Sequence, residues 1–446
     1  MRTPIFDFVR AYAESDTSRF HMPGHKGKSY LGCESLDITE VEGADVLSHA
    51  DGIIAESERY AAELFGAGES FYSTEGSTLC IKAMVAMAAS SERGKEKPRI
   101  LAARNAHKAF IYACGILDVE VDWIYPEREE HLCSCHVSAE QVESRLRSAE
   151  SLPRAVYITS PDYLGNIADV EGIARVCHAY GLPLLVDNAH GAYLNFLSPS
   201  LHPLALGADI CCDSAHKTLP ALTGGAYLHI SKNADKCYRE MARDMMAAFA
   251  TTSPSYLVLQ SLDLCNRYLA DGYSERLERF IEGLDAVKDK IRARGFVIMD
   301  TEPLKIVIGA AESGYGGGEL AAHLRGFKIE PEMVDDEYVV LMATPDTREV
   351  DLERLISAFE RISPKAPIEY KERRFAPEPE RAVSIREAIF SRSESVSVEA
   401  AEGRICGAPA VSCPPAIPIV VSGERISREA VELFCAYGIK TVRVLV

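Results

Sequence analysis

Asp209-Ile210-Cys211-Cys212-Asp213-Ser214-Ala215-His216-Lys217-Thr218 is the stretch on which the reading of this chain turns. Its first five residues, three apolar between two acids, are too few for a helix and read as a buried strand. The small and basic residues that follow place a lysine just past the strand's carboxyl end. Similar runs recur on both sides: Arg99 to Ala102, Val119 to Tyr125, Ala155 to Thr159, Pro183 to Asp187 and Ala226 to Ile230. Helical candidates lie between them at 77–90, 107–117 and 170–180. The alternation predicts an α/β fold, a large and mostly parallel sheet with helices on both faces. In such sheets ligands bind beyond the carboxyl ends of the strands.

Further out the pattern changes. Ile5, Phe8, Val9 and Tyr12 recur at helical spacing behind Pro4, which predicts a short amphipathic helix. The turn-rich His21-Met22-Pro23-Gly24-His25-Lys26-Gly27 then predicts a loop. Beyond a helical region at 256–294, the strand-like Leu304 to Ile308, the Gly-rich Gly314 to Gly318 and the run Tyr338 to Ala343 predict a smaller α+β domain. A charged stretch from Pro364 to Pro379 reads as a linker within it. The expected division is an arm and helix at 1–65, a major domain at 66–295 and a C-terminal α+β domain at 296–446.

Composition narrows the class. With 446 residues the chain exceeds one compact core. Its 66 acidic against 48 basic residues, net −18, argue against a nucleic-acid partner. No cleavable leader and no bilayer-length apolar run is visible, so the expectation is a soluble, cytoplasmic protein without a membrane partner. The thirteen cysteines scatter through apolar segments, which predicts reduced thiols rather than a disulfide framework. His131, Cys133, Cys135 and His136 match no common zinc spacing and read as a polar loop, so no metal is expected.

Three His-Lys pairs, His25-Lys26, His107-Lys108 and His216-Lys217, offer an imine-forming amine. Position selects Lys217, which follows a buried strand. Pro183 to Asp187 delivers a carboxylate to the same end of the sheet, where it can hold a pyridinium nitrogen protonated. Ser73-Thr74-Glu75-Gly76-Ser77-Thr78 precedes a helix, with hydroxyls and backbone N–H groups placed to meet a phosphate. Singly, these features are commonly a turn acid, a helix cap and a solvated lysine. Their order along a βαβ pattern, phosphate loop, then Asp strand, then Lys strand, points to pyridoxal 5'-phosphate (PLP).

At these residues the chain resembles the bacterial Orn/Lys/Arg decarboxylases, PLP enzymes of fold type I with the aspartate-aminotransferase-like fold. Phe20 to Gly27 is similar to the family's N-terminal loop, and Arg104-Asn105-Ala106-His107-Lys108 to its cofactor-stacking segment. Ser160 to Gly165, Asp187-Asn188-Ala189-His190-Gly191, Ser214 to Pro220, Glu330 to Met333 and Pro414 to Pro418 follow in family order. The resemblance implies Lys217 as the Schiff-base lysine, Asp187 at the ring nitrogen, His107 and Ala189 on the two ring faces and His190 near the ring hydroxyl. Gly76, Ser77, Thr78, Ser214 and His216 would surround the phosphate. The chain departs from the family pattern at Cys80, at Asn188 where a Glu is usual, at Ala408 and at Cys413.

The implied activity is decarboxylation of arginine, lysine or ornithine, with Lys217 or His216 protonating the α-carbon. The alternatives are an aminotransferase or lyase on the same fold, which would want an Arg in the small domain to clamp the substrate carboxylate and for which Arg404 or Arg443 could be misread, and a PLP-binding protein with little catalysis. A homodimer or an assembly of dimers is expected, because the arm with its His21 to Gly27 loop has no evident role within one sheet domain.

Overall fold

The computed structural model describes residues 1–90, 97–126, 131–134, 136–369, 378–411 and 417–446. It divides into two compact units, one of Met1–Leu101, Ala139–Ser160 and Asp169–Ser274, the other of Ala102–Ser138, Pro161–Ala168 and Glu275–Val446.

In chain order the elements are α1 (Pro4–Glu14), α2 (Ile53–Phe65), β1 (Glu69–Ser73), α3 (Ser77–Ser90), β2 (Arg99–Ala103), α4 (Lys108–Leu117), β3 (Glu120–Ile124), α5 (Ala139–Ser148), β4 (Ala155–Thr159), α6 (Val170–Ala179), β5 (Leu184–Asp187), β6 (Ile210–Asp213), α7 (Ala215–Thr218), β7 (Ala226–Ile230), α8 (Lys236–Phe249), α9 (Tyr256–Ala270) and α10 (Tyr273–Ala293). The large sheet runs β1-β7-β6-β5-β4-β2-β3. Its six foreseen strands are all present, each within a residue or so of the expected bounds. β4, β5 and β6 pair in parallel, and β5 and β6 are buried along their whole length, as continuous apolar runs in a covered parallel sheet must be.

β7 is the exception, antiparallel to both β6 and β1. A parallel return needs a crossover of a dozen or more residues, usually a full helix. The segment from Ser214 to Gly225 holds no full helix, only the single-turn α7, and the chain doubles back instead. β1 was not foreseen, since its polar Glu69, Ser70 and Ser73 hide the apolar Phe71 and Tyr72.

α3 is apolar on nearly every side, as a helix enclosed by its surroundings must be, and it packs between α8 and strands β6 and β7. That enclosure fixes where its N-terminus points. α1 begins at Pro4 and buries Ile5 and Val9. The N–H groups of Ile5 and Phe6 both donate to Asp263 Oδ2 at 3.0 Å, so a carboxylate on α9 satisfies two donors that a helix start leaves unpaired.

The second unit contains an antiparallel sheet of β8 (Val297–Ile298), β9 (Lys305–Gly309), β10 (Met333–Val334) and β11 (Tyr338–Met342) in the order β10-β11-β9-β8. Ile306 and Ile308 of β9 pack with Leu284 and Ile291 of α10 and with Leu320, Leu355 and Phe359 from α11 (Gly317–Gly326) and α12 (Glu349–Arg361). This is the α+β pattern expected of the C-terminal part. α4 packs on the short helix Ile385–Phe390 at Gly115, where a Cβ would lie 2.5 Å from Ile389 Cδ1. The stretch expected to be a linker, Pro364 to Pro379, lies partly outside the described residues. The eleven described cysteines are all free.

Candidate active site

Parallel pairing in register sets Asp187 of β5 beside Cys212 of β6, one residue before Asp213. Both strands stop there, and each hands over to a short segment carrying polar groups. The Asp187 carboxylate is buried. It accepts from Tyr157 OH at 3.3 Å and from the Ala189 N–H at 3.2 Å, and Cys212 Sγ lies 3.7 Å away. These neighbours hold it in one orientation.

On the second strand end, Ser214, His216 and Lys217 follow Asp213 directly, the last two on the single turn of α7. Lys217 Nζ lies 3.0 Å from His190 Nε2, and His190 is itself buried. His216 Nδ1 donates to the Gly225 carbonyl at 2.9 Å. Burial holds the His216 pKa below its usual value, and the charge of Lys217 adds to this against the carbonyl's opposite pull.

The third component is the start of α3. Ser214 Oγ donates to Ser77 Oγ at 2.9 Å, which ties the lysine segment to the first helical residue. Gly76 adopts a left-handed φ of +69°, and its N–H donates to Gly224 O at 2.7 Å. A Cβ at Gly76 would sit 4.0 Å from both His216 Cε1 and the Thr78 nitrogen. Gly76, Ser77, Thr78, Ser214 and His216 thus gather at the N-terminus of a fourteen-residue helix, where N–H groups and the helix dipole favour an anion.

One unit therefore brings together nine of the ten residues singled out in the sequence. The tenth, His107, belongs to the other unit, where it is the N-cap of α4 and its Nδ1 accepts from the Ala109 N–H at 3.2 Å. The other two lysines of the His-Lys pairs sit elsewhere. Lys26 donates to the carbonyl of His21 in its own loop, and Lys108 is the first residue of α4.

Sequence reasoning missed the supports. Tyr157 shows no signal beyond its place inside a strand. Asp213 was visible only as a strand end, yet it is fully buried. Its Oδ2 faces His202 Nε2 at 3.0 Å and His229 Nε2 at 3.4 Å, and its Oδ1 accepts from Asn188 Nδ2 at 2.6 Å. His202 and Asp213, with Cys211, form a cluster that metal-ligand spacing alone would flag, but the histidine and the acid are engaged with one another and with His229 and Asn188. Of the cluster considered in the sequence, His131 pairs with Asp335 Oδ2 at 2.7 Å, and Cys135 lies outside the described residues.

Residues 3–310 match the model for the Orn/Lys/Arg decarboxylase major domain, and residues 369–437 match the model for the C-terminal domain of the same name. The uncharacterized protein YaaO of Bacillus subtilis (strain 168) is 30% identical over 97% of this chain and 93% of its own length. An arginine decarboxylase of the same organism is 28% identical over 96% of this chain and 92% of its own. The solved structure of the Escherichia coli constitutive lysine decarboxylase superposes with a TM-score of 0.80 at 18% identity, covering 100% of this chain and 82% of that one. At that identity the likeness establishes the shared fold.

Proposed function

The chain belongs to the Orn/Lys/Arg decarboxylase family, whose members are PLP-dependent amino-acid carboxy-lyases, and from that premise we propose that it releases CO2 from a basic amino acid: arginine, lysine or ornithine. The observation that carries the reading is the meeting of a lysine amine, a buried carboxylate and a hydroxyl-lined helix start in one unit. Those three groups fit the aldehyde, the ring nitrogen and the phosphate of PLP. The positive-φ Gly76 keeps backbone rather than side chain facing the phosphate position.

When bound, PLP supplies the sink for the electron pair released at the substrate α-carbon. The rest falls to the chain. Lys217 holds the aldehyde end, and Asp187 accepts from the ring nitrogen and keeps its proton in place. Gly76, Ser77, Thr78, Ser214 and His216 hold the phosphate. By the family resemblance Ala189 would lie on one ring face and His190 near the ring hydroxyl. Lys217 or His216 holds the proton delivered to the α-carbon. Specificity between carboxylate loss and α-hydrogen loss rests on which bond the site orients.

Arginine is the first substrate to try, on the 28% identity to the Bacillus subtilis arginine decarboxylase. Domain limits of 1–65, 66–295 and 296–446, a cytoplasmic location and a dimer-based assembly belong to the same proposal. Among the described residues no helix is long and apolar enough to cross a membrane. In the arm, Phe20, Met22, Tyr30 and Leu31 stand exposed, and a second copy of the chain would cover them. Measuring CO2 released from a panel of amino acids by the PLP-loaded protein tests the reaction. Amino-group transfer to a keto acid without CO2 would identify the aminotransferase alternative, and a visible cofactor band with no turnover the inactive binding protein.

A further inference from the structure

Asp187 ends β5 and Lys217 sits on α7 past the end of β6, so something beyond the ladder must fix their span. The last backbone bond between β5 and β6 runs from Asn188 N to Cys212 O at 3.0 Å. Past it the chains part, one turning at Gly191, whose N–H donates to Asn188 O at 2.8 Å, the other entering α7. Besides the Lys217 to His190 contact, a side-chain bond nearer the strand ends crosses the gap: Asn188 Nδ2 donates to Asp213 Oδ1 at 2.6 Å.

Both ends of that bond are held. Asn188 is buried, and a Cβ on Gly191 would come within 2.0 Å of its Oδ1, so the glycine leaves the amide its room. Asp213 receives His202 from the loop after residue 200 and His229 from β7, and His229 Nδ1 meets Ser70 Oγ on β1 at 2.7 Å. A buried carboxylate is retained only where donors surround it, and here they arrive from three separate segments. An acid at position 188 would instead oppose a second carboxylate across 2.6 Å.

We propose that Asn188 and Asp213 are positioning residues, whose bond sets the span between the Asp187 carboxylate and the Lys217 amine and so the alignment of the cofactor between them. The proposal rests on the assignment of Asp187 and Lys217 made above. Asn188 stands one residue past Asp187 and two before His190, and Asp213 stands four before Lys217. A break in the bond therefore loosens the His190 to Lys217 contact at both its roots.

The test uses full-length protein with Asn188→Ala, Asn188→Asp, Asp213→Asn and the exchanged pair N188D/D213N. Four quantities are read: PLP affinity by titrating the apo-protein, the pH midpoint of the visible cofactor band, kcat and KM separately, and the thermal midpoint. Asn188→Ala is expected to move the band's pH midpoint by about half a unit or more. It should also lower kcat by about tenfold with KM within about twofold. The exchanged pair, which keeps one amide and one carboxylate on the bond, should recover kcat and the band midpoint relative to Asn188→Asp. A wild-type midpoint and kcat in Asn188→Ala, or an exchanged pair no better than its single variants, overturns the proposal. So does a fall in thermal midpoint alone, which would mark a purely structural bond. Asn188→Ala decides the matter even where the Asp213 variants fail to fold. Absence of any cofactor band in the wild type would defeat the underlying assignment instead.

Discussion

Lys217 Nζ lies 3.0 Å from His190 Nε2, so two nitrogens carried past the ends of adjacent parallel strands meet at hydrogen-bond distance. Lys26 and Lys108 each follow a histidine too, but one is turned to its own loop and the other opens a helix. Lys217→Ala should therefore bind PLP only reversibly and lose turnover, while Lys26→Ala and Lys108→Ala keep the covalent attachment. Borohydride reduction and peptide mapping checks this. A pyridoxyl group recovered on Lys26 or Lys108 would show the site to be misassigned.

Asp187→Asn keeps the shape of the strand end and its hydrogen bond from Ala189, but an amide cannot stabilise a protonated ring nitrogen. Turnover should fall by two to four powers of ten, about 3–5 kcal/mol of transition-state stabilisation, with the far-ultraviolet spectrum unchanged. Steady-state kinetics at saturating PLP decides it, and undiminished kcat would remove Asp187 from the site.

Acid should destabilise the fold in two stages. Burial holds His229 below its usual 6.5, against the pull of Asp213, and burial does the same to His216. The unfolded chain then binds protons that the folded chain refuses, so stability declines as pH falls below 6.5 and levels off below the folded values. Burial works to raise the Asp213 carboxyl, but His202 and His229 outweigh it and hold the group well below its usual 3.8, so a second loss begins below that pH. Urea midpoints measured across pH 8 to 4 should show the first decline, and His229→Gln should flatten it. An unchanged slope in that variant would contradict the assignment.

Arg104 is fully enclosed, with Nη1 donating to Pro418 O at 3.2 Å and Nη2 to Ile419 O at 3.1 Å and Glu424 Oε2 at 3.2 Å. Arg104→Met would strand the Glu424 carboxylate, whose pKa burial already pushes upward. A loss of about 3–5 kcal/mol is expected from leaving a buried charge unpaired. Glu424→Gln in that background should return part of it. Denaturant unfolding measures both, and a single variant as stable as the wild type would refute the account.

Deleting the arm through residue 32 removes Phe20, Met22, Tyr30 and Leu31 together. Light scattering should then report fewer chains per particle than the intact protein gives. An unchanged number of chains per particle would mean that the arm covers no partner.

Local order carried much of the chain's identity. Strands β4 and β7 and helix α3 have the bounds expected, because short buried runs and one long apolar helix announce themselves by composition. The positions of Asp187 and Lys217 at the ends of adjacent strands were legible because the buried runs that lead into them are short and apolar. β1 stayed hidden because its partner, β7, lies more than 150 residues away and its own pattern is half polar. β7 enters antiparallel to β6 across a connection whose only helix is the single-turn α7.

What the tertiary structure alone decided is which polar groups share a proton or a charge. Asn188, His202, Asp213, His229 and Ser70 have no common spacing in the sequence, yet they form one buried network. Arg104 finds Glu424 across more than 300 residues. Hydrogen-bond energy depends on distances of a few tenths of an ångström, and those are set by how strands and helices pack rather than by the order in which residues are joined.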